Sequence, residues 1–223
     1  MGIASAPAHH PAFAGVRRSD QPCGDGNKPQ CAEALDPKAS LLGEAQEKWL
    51  TQTLNASHGT WNVLTQQVMM GLVDRKPGEE VAYSMDQWPG YEANRVRLLK
   101  FFAERPKLNP IVLTGDIHSN WVNDLQVDSS NEKSPVVATE FVGTSISSGG
   151  NGAEANKDTP KLYSENPFVK FYNYERGYVS CELTPKTYTS HYRTVSFVTK
   201  PDAPLVTRKS FVVEAGRPGA KEA

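Results

Sequence analysis

The strongest constraint on the fold is the unbroken apolar run Pro110-Ile111-Val112-Leu113-Thr114, closed by Gly115. A run without polar alternation reads as a strand buried on both faces, the pattern of a parallel sheet covered by other layers. A helix reads just upstream over residues 91–105, with Val96, Leu99, Phe102 and Ala103 at helical spacing and Pro106 as its stop. Before it, WNVLTQQ (residues 61–67) reads as a shorter strand leading into an apolar MMG. Strand, helix, strand is a βαβ crossover, so the two strands should run parallel with a right-handed connection. Ligand sites in such sheets gather beyond the carboxyl ends of the strands. The residues there are Gln66 and Gln67 after the first strand, and Asp116 and His118 after the second.

The remaining chain divides around this unit. Residues 40–55 read as a helix with Leu42, Ala45, Trp49, Leu50 and Leu54 on one side and Ser40 as its N-cap. Residues 71–90 read as a long loop, with turn signals at Lys76-Pro77-Gly78 and Trp88-Pro89-Gly90; a loop of that length in a compact domain is more often functional than idle. PVVATEFV (135–142) reads as another strand and GTSISSGGNG (143–152) as a flexible loop of small residues. Residues 177–183, 187–198 and 209–214 alternate at period two, as antiparallel strands do.

With 223 residues the chain suits one domain, or one domain with a small appendage. A net charge of -1, from 24 basic and 25 acidic residues without a long basic run, argues against nucleic acid or an anionic membrane surface as the main partner. No stretch approaches the roughly 18 consecutive apolar residues of a membrane span. A small phosphorylated substrate is compatible with this balance, because bound metal ions can meet its charge. Residues 1–17 read as an atypical, disordered tail without an apolar signal-peptide core; His9-His10 and the Arg17-Arg18 pair fall in it or at its end. Cys23 and Cys31 share one polar loop; they either pair in an oxidising compartment or stand as free thiols, and Cys181 reads as a small core residue.

The chemistry concentrates in IVLTGDIHSNW, residues 111–121. A buried strand hands an aspartate and a histidine, two residues apart, to its carboxyl end. A hard carboxylate oxygen and a borderline imidazole nitrogen together suit iron, zinc or manganese, and Gly115 offers a tight turn beneath them. The same residues also read as an Asp-containing turn beside a surface histidine.

Four blocks in order, WLTQTLNASHGTWNVLTQQVMM, SMDQWPGYEANRVRLLKFF, NPIVLTGDIHSNW and ATEFVGTSISSGG, resemble the PhoD-like alkaline phosphatases. The RSDQPCGDG loop and the closing RGYVSCELTPKTYTSHYRTV segment are similar to the same family, so the resemblance spans about residues 18–219. It implies a calcineurin-like metallophosphoesterase fold, an α+β sandwich of two β-layers with flanking helices, of which this chain is the C-terminal part, including the antiparallel strands over 177–214. It implies a phosphoric ester hydrolase acting on a phosphomonoester or phosphodiester, with iron and calcium as cofactors that hold and align the phosphate. By the resemblance Asp116 and His118 are metal ligands; Gln66 and Gln67 are weaker positional candidates, or glutamines that only orient or support. Asp86, in SMDQWPGY, is a further candidate, although the family's Trp-Asp-Gly-Tyr is here Trp88-Pro89-Gly90-Tyr91. A periplasmic or extracellular location is implied by the resemblance alone.

The family's earlier motifs, a Cys-bearing strand end, GD-x-x-Y and an Asp-rich segment, do not occur. The expectation is therefore impaired hydrolysis by this chain, with a catalytically inactive interaction module as the alternative. His58, His191 and Arg176 have no motif support and read as solvated or hydrogen-bonded side chains.

Overall fold

The computed structural model describes residues 2–5 (backbone only), 21–76, 78–131 and 133–223. The expected tail over 1–17, with His9-His10, the Arg17-Arg18 pair and Pro77 of the Lys-Pro-Gly turn, lies outside them, except for the four residues at the start. In chain order the elements are β1 (Gly2–Ser5), β2 (Asn27–Lys28), α1 (Glu44–Asn55), β3 (Asn62–Thr65), β4 (Tyr83–Ser84), α2 (Glu92–Ala103), β5 (Pro110–Thr114), β6 (Asn120–Gln126), β7 (Val136–Val142), α3 (Thr159–Glu165), β8 (Val169–Asn173), β9 (Arg176–Leu183), β10 (Thr187–Val195), β11 (Leu205–Glu214) and β12 (Arg217–Glu222).

Six strands form one sheet in the order β1-β3-β5-β7-β6-β8, and four form a second in the order β12-β11-β10-β9. β3, β5 and β7 are parallel, while β6 runs antiparallel to both β7 and β8. The period-two geometry of a strand sorts side chains to opposite faces. Leu64, Val112, Leu125 and Ala138 pack with Leu50, Leu54, Leu98, Leu99 and Phe102 of the helices. Their neighbours Val63, Ile111, Val122 and Phe141 pack with Tyr188, Tyr192, Phe211 and Val213 of the second sheet. The layers are therefore helices, large sheet, small sheet: an α/β arrangement containing a β-sandwich. Ile111 and Val112 are both wholly buried, as the apolar run requires. Among the described residues no helix is long and apolar enough to cross a membrane.

Several local expectations need correction. α1 begins at Glu44, not Ser40, because Gly43 stands at φ 74° and the preceding amides turn elsewhere. Asn94 Oδ1 accepts from Leu41 and Leu42, and Ser40 Oγ accepts from the Gly43 amide at 2.8 Å. The buried face of α2 is Asn94, Arg95, Leu98, Leu99 and Phe102; Ala103 is exposed. Arg95 displaces the apolar register because its guanidinium donates to the Met70 carbonyl at 2.7 Å and to Glu92 at 2.9 Å. Within the long loop, Trp88–Tyr91 forms a 3-10 turn. Gly90 is obligatory there, since a Cβ would lie 1.9 Å from the Met85 carbonyl oxygen. Cys23 and Cys31 form a disulfide, and Cys181 is a free, partly buried thiol packed between the sheets.

Candidate metal and phosphate site

The three parallel strands deliver their carboxyl ends side by side. β3 is followed by Gln66-Gln67, β5 by Gly115-Asp116-Ile117-His118, and β7 by the small-residue loop 143–152. Main-chain bonds join them: the Gly115 amide donates to the Gln67 carbonyl at 3.2 Å, and the Gly143 amide to the Thr114 carbonyl at 2.9 Å.

Asp116 and His118 both lie exposed on the turn beyond β5. The turn is not made by glycine. Asp116 has φ 70° and His118 φ 55°, left-handed values that L-residues adopt at a cost, whereas Gly115 keeps an ordinary φ. The expectation that Gly115 provides the tight bend is corrected accordingly; the two polar residues provide it, aided by an Ile117 amide bond to the Gly115 carbonyl at 2.8 Å. The loop after β7 comes close to the imidazole: a Cβ added at Gly149 would stand 3.8 Å from His118 Nδ1.

Gln66 is spent within the protein. Its Nε2 donates to Thr114 Oγ1 at 2.6 Å, and its Oε1 accepts from Trp88 Nε1 at 3.0 Å and the Val68 amide at 3.2 Å. Gln67 is half-buried and serves the turn through its carbonyl. Asp86 is half-buried two residues before Trp88, whose indole holds Gln66.

Beneath this surface stands a residue that no sequence pattern announces. Glu140 of β7 is 0% exposed. One carboxylate oxygen accepts from the Met70 amide and Thr114 Oγ1, both at 2.7 Å; the other accepts from the Gly71 amide and Asn123 Nδ2, both at 2.9 Å. Burial pushes its pKa up, and the donors from Asn123, Met70, Thr114 and Gly71 pull it back. Through Thr114, Gln66 and the 70–71 backbone, this carboxylate fixes the strand ends. Arg176, 3% exposed at the start of β9, is the second unannounced residue, and it bonds to the His118 carbonyl at 2.7 Å.

Asp116 and His118 fit an iron or zinc ion in kind but not in number. Among the described residues no three His, Cys, Asp or Glu side chains come together as a metal-binding group, so Asp86 does not complete a trio with them. A metal centre of three or more protein ligands is not assembled by these residues alone.

Comparison with known proteins gives a consistent result. A family model described as PhoD-like phosphatase matches residues 16–192. Alkaline phosphatase D of Bacillus subtilis (strain 168) is 43% identical over 205 residues, which is 92% of this chain but 35% of that protein. A solved structure described as "Structure of PhoD" superposes with a TM-score of 0.84 at 43% identity, covering 89% of this chain and 38% of the other. The chain thus spans a little over a third of the length of the relatives it matches.

Proposed function

Given that the chain belongs to the PhoD-like phosphatase family, we propose that it carries the C-terminal share of a metal-dependent phosphoester hydrolase, with Asp116 and His118 as two of the metal ligands. The observation that carries this reading is the conjunction of an acid and an imidazole at the carboxyl end of β5, on a backbone held in two left-handed conformations. Strained, non-glycine backbone of this kind clusters at functional sites. The ends of β3 and β7 flank this turn, and the loop 143–152 comes close to His118, a Cβ at Gly149 falling 3.8 Å from its Nδ1.

Iron and calcium are the ions proposed, by family. Because no three His, Cys, Asp or Glu side chains come together among the described residues, the chain by itself is expected to bind a metal weakly and to hydrolyse p-nitrophenyl phosphate slowly or not at all. A location outside the reducing cytoplasm is proposed with it, and the Cys23–Cys31 disulfide supports that. A non-catalytic module that binds a partner through its sheet is the second reading; Tyr178, Leu183, Leu205 and Val206, 37–45% exposed on the small sheet, favour it.

Elemental analysis and metal titration of the purified chain, beside Asp116→Ala and His118→Ala, decide between them. Metal uptake that falls in both variants supports the hydrolase reading. Equal uptake in all three proteins sinks it.

A further inference from the structure

Arg176 is a buried cation with no carboxylate paired to it among the described residues. Its Nη1 donates to the His118 carbonyl at 2.7 Å, Ser145 Oγ at 2.8 Å, the Ser148 carbonyl at 3.1 Å and Thr144 Oγ1 at 3.4 Å, and its Nη2 donates to the Tyr174 carbonyl at 2.6 Å. All five acceptors are neutral oxygens, and Nε is buried without a partner. Desolvating a guanidinium against neutral groups alone is costly, so packing stability is a poor account of the arrangement. Its geometry is more telling. The acceptors come from three segments: the turn after β5, the loop after β7, and the approach to β9. A planar fork of donors can tie three backbones at fixed angles, whereas a lysine ammonium is a single point charge.

The turn it ties is the strained one, with Asp116 at φ 70° and His118 at φ 55°. Such conformations persist only where the surroundings over-determine them. On the other side, Gly149 comes close to both groups: a Cβ there would lie 3.8 Å from Arg176 Nη1 and 3.8 Å from His118 Nδ1.

We propose that Arg176 is a positioning residue, which locks the turn 115–119 and the His118 side chain against the loop 143–152 and so presents the proposed metal donors in one preset geometry. This rests on the reading of Asp116 and His118 as ligands, but its structural half can be tested without any metal.

The test uses the ¹⁵N-labelled 223-residue chain and its Arg176→Met, Arg176→Lys and Ser145→Ala variants. Amide hydrogen exchange at Ile117, His118 and Ser119 is compared with exchange in β10, and each protein is titrated with zinc. In Arg176→Met, exchange at the turn should accelerate at least about tenfold while β10 is unchanged, a local opening rather than a global one. Zinc affinity should weaken by about tenfold or more, the scale typical of lost orienting contacts. Arg176→Lys should not rescue either effect, and Ser145→Ala should move both in the same direction by less. Turn amides that follow β10 in every variant, or that do not change, overturn the proposal. If Arg176→Met does not fold, the lysine and Ser145 variants carry the same comparison. Failure of the wild-type chain to bind zinc would sink the ligand reading, and the exchange data would still decide the role of Arg176.

Discussion

A carboxylate removed from water must recover its solvation from the protein, and Glu140 does so with four donors, two on each oxygen. Such a network is worth more than its separate bonds only while every member is satisfied. Glu140→Gln preserves shape and removes one acceptor. Its amide nitrogen would face either the Gly71 and Asn123 donors or the Met70 and Thr114 donors, setting donors against donors in a dry core. The expected cost is about 2–3 kcal/mol in urea unfolding with an unchanged m-value. A loss below about 0.5 kcal/mol, the range of surface substitutions, would mean that the network is not holding the strand ends. At this scale the sequence is legible where chemistry is local. Asp116 and His118 stand two apart at the end of an apolar run. Glu140 and Arg176 are invisible because their work is done on residues 70 and 58 positions away; a glutamate inside PVVATEFV reads only as an outlier in a strand.

Elements were readable in proportion to their periodicity. β5, β7, α2 and the antiparallel β9, β10 and β11 follow from patterns of burial, and the β3–α2–β5 crossover is parallel as chain order demands. β6 escapes because NWVNDLQ is wholly buried yet carries Asn120, Asn123, Asp124 and Gln126. Those side chains are paid for by long-range bonds, such as the Thr144 amide to Asn120 Oδ1 and the Ala220 amide to Asp124 Oδ1. β8 and β12 are likewise set by neighbours in the sheets rather than by their own pattern. Beside the Ala220–Asp124 bond, a fully buried polar pin joins the sheets: Tyr192 of β10 donates its hydroxyl to the Trp121 carbonyl of β6. Tyr192→Phe keeps the ring, its edge contact with Phe171 at 5.0 Å included, and removes only this bond. Thermal unfolding should show a loss of about 1–2 kcal/mol. An unchanged midpoint would show that this hydroxyl adds nothing to the attachment of the sheets.

Across the whole molecule, buried carboxylates of two kinds join the layers, and they act on stability in opposite pH ranges. Burial raises the pKa of Glu140, of Glu92 against Arg95, and of Asp124 beneath the β12 strand. A raised acid takes up its proton in the folded state before it does so in the unfolded chain. Between the ordinary carboxylate values and these raised ones the folded state holds more protons, so stability grows as pH falls. Glu175 behaves in the opposite sense: burial raises it, but Arg208, Asn173 and Thr194 outweigh that and hold it below its usual range. Its two oxygens accept from Arg208 at 2.6 and 2.7 Å, joining β11 to the end of β8. The unfolded chain protonates this group first, so its contribution, present above the ordinary glutamate value, disappears as pH falls through the depressed one. Melting temperature followed from pH 8 downward should therefore rise into the mildly acidic range, pass a maximum and fall steeply below about pH 4, where model glutamates titrate. Glu175→Gln, which keeps the side-chain volume but cannot ionise, should flatten the acid limb and leave the rise from pH 8 in place. A melting temperature that declines steadily from pH 8 would show that the raised carboxylates do not govern this fold, and an acid limb equally steep in the variant would clear Glu175 of its part.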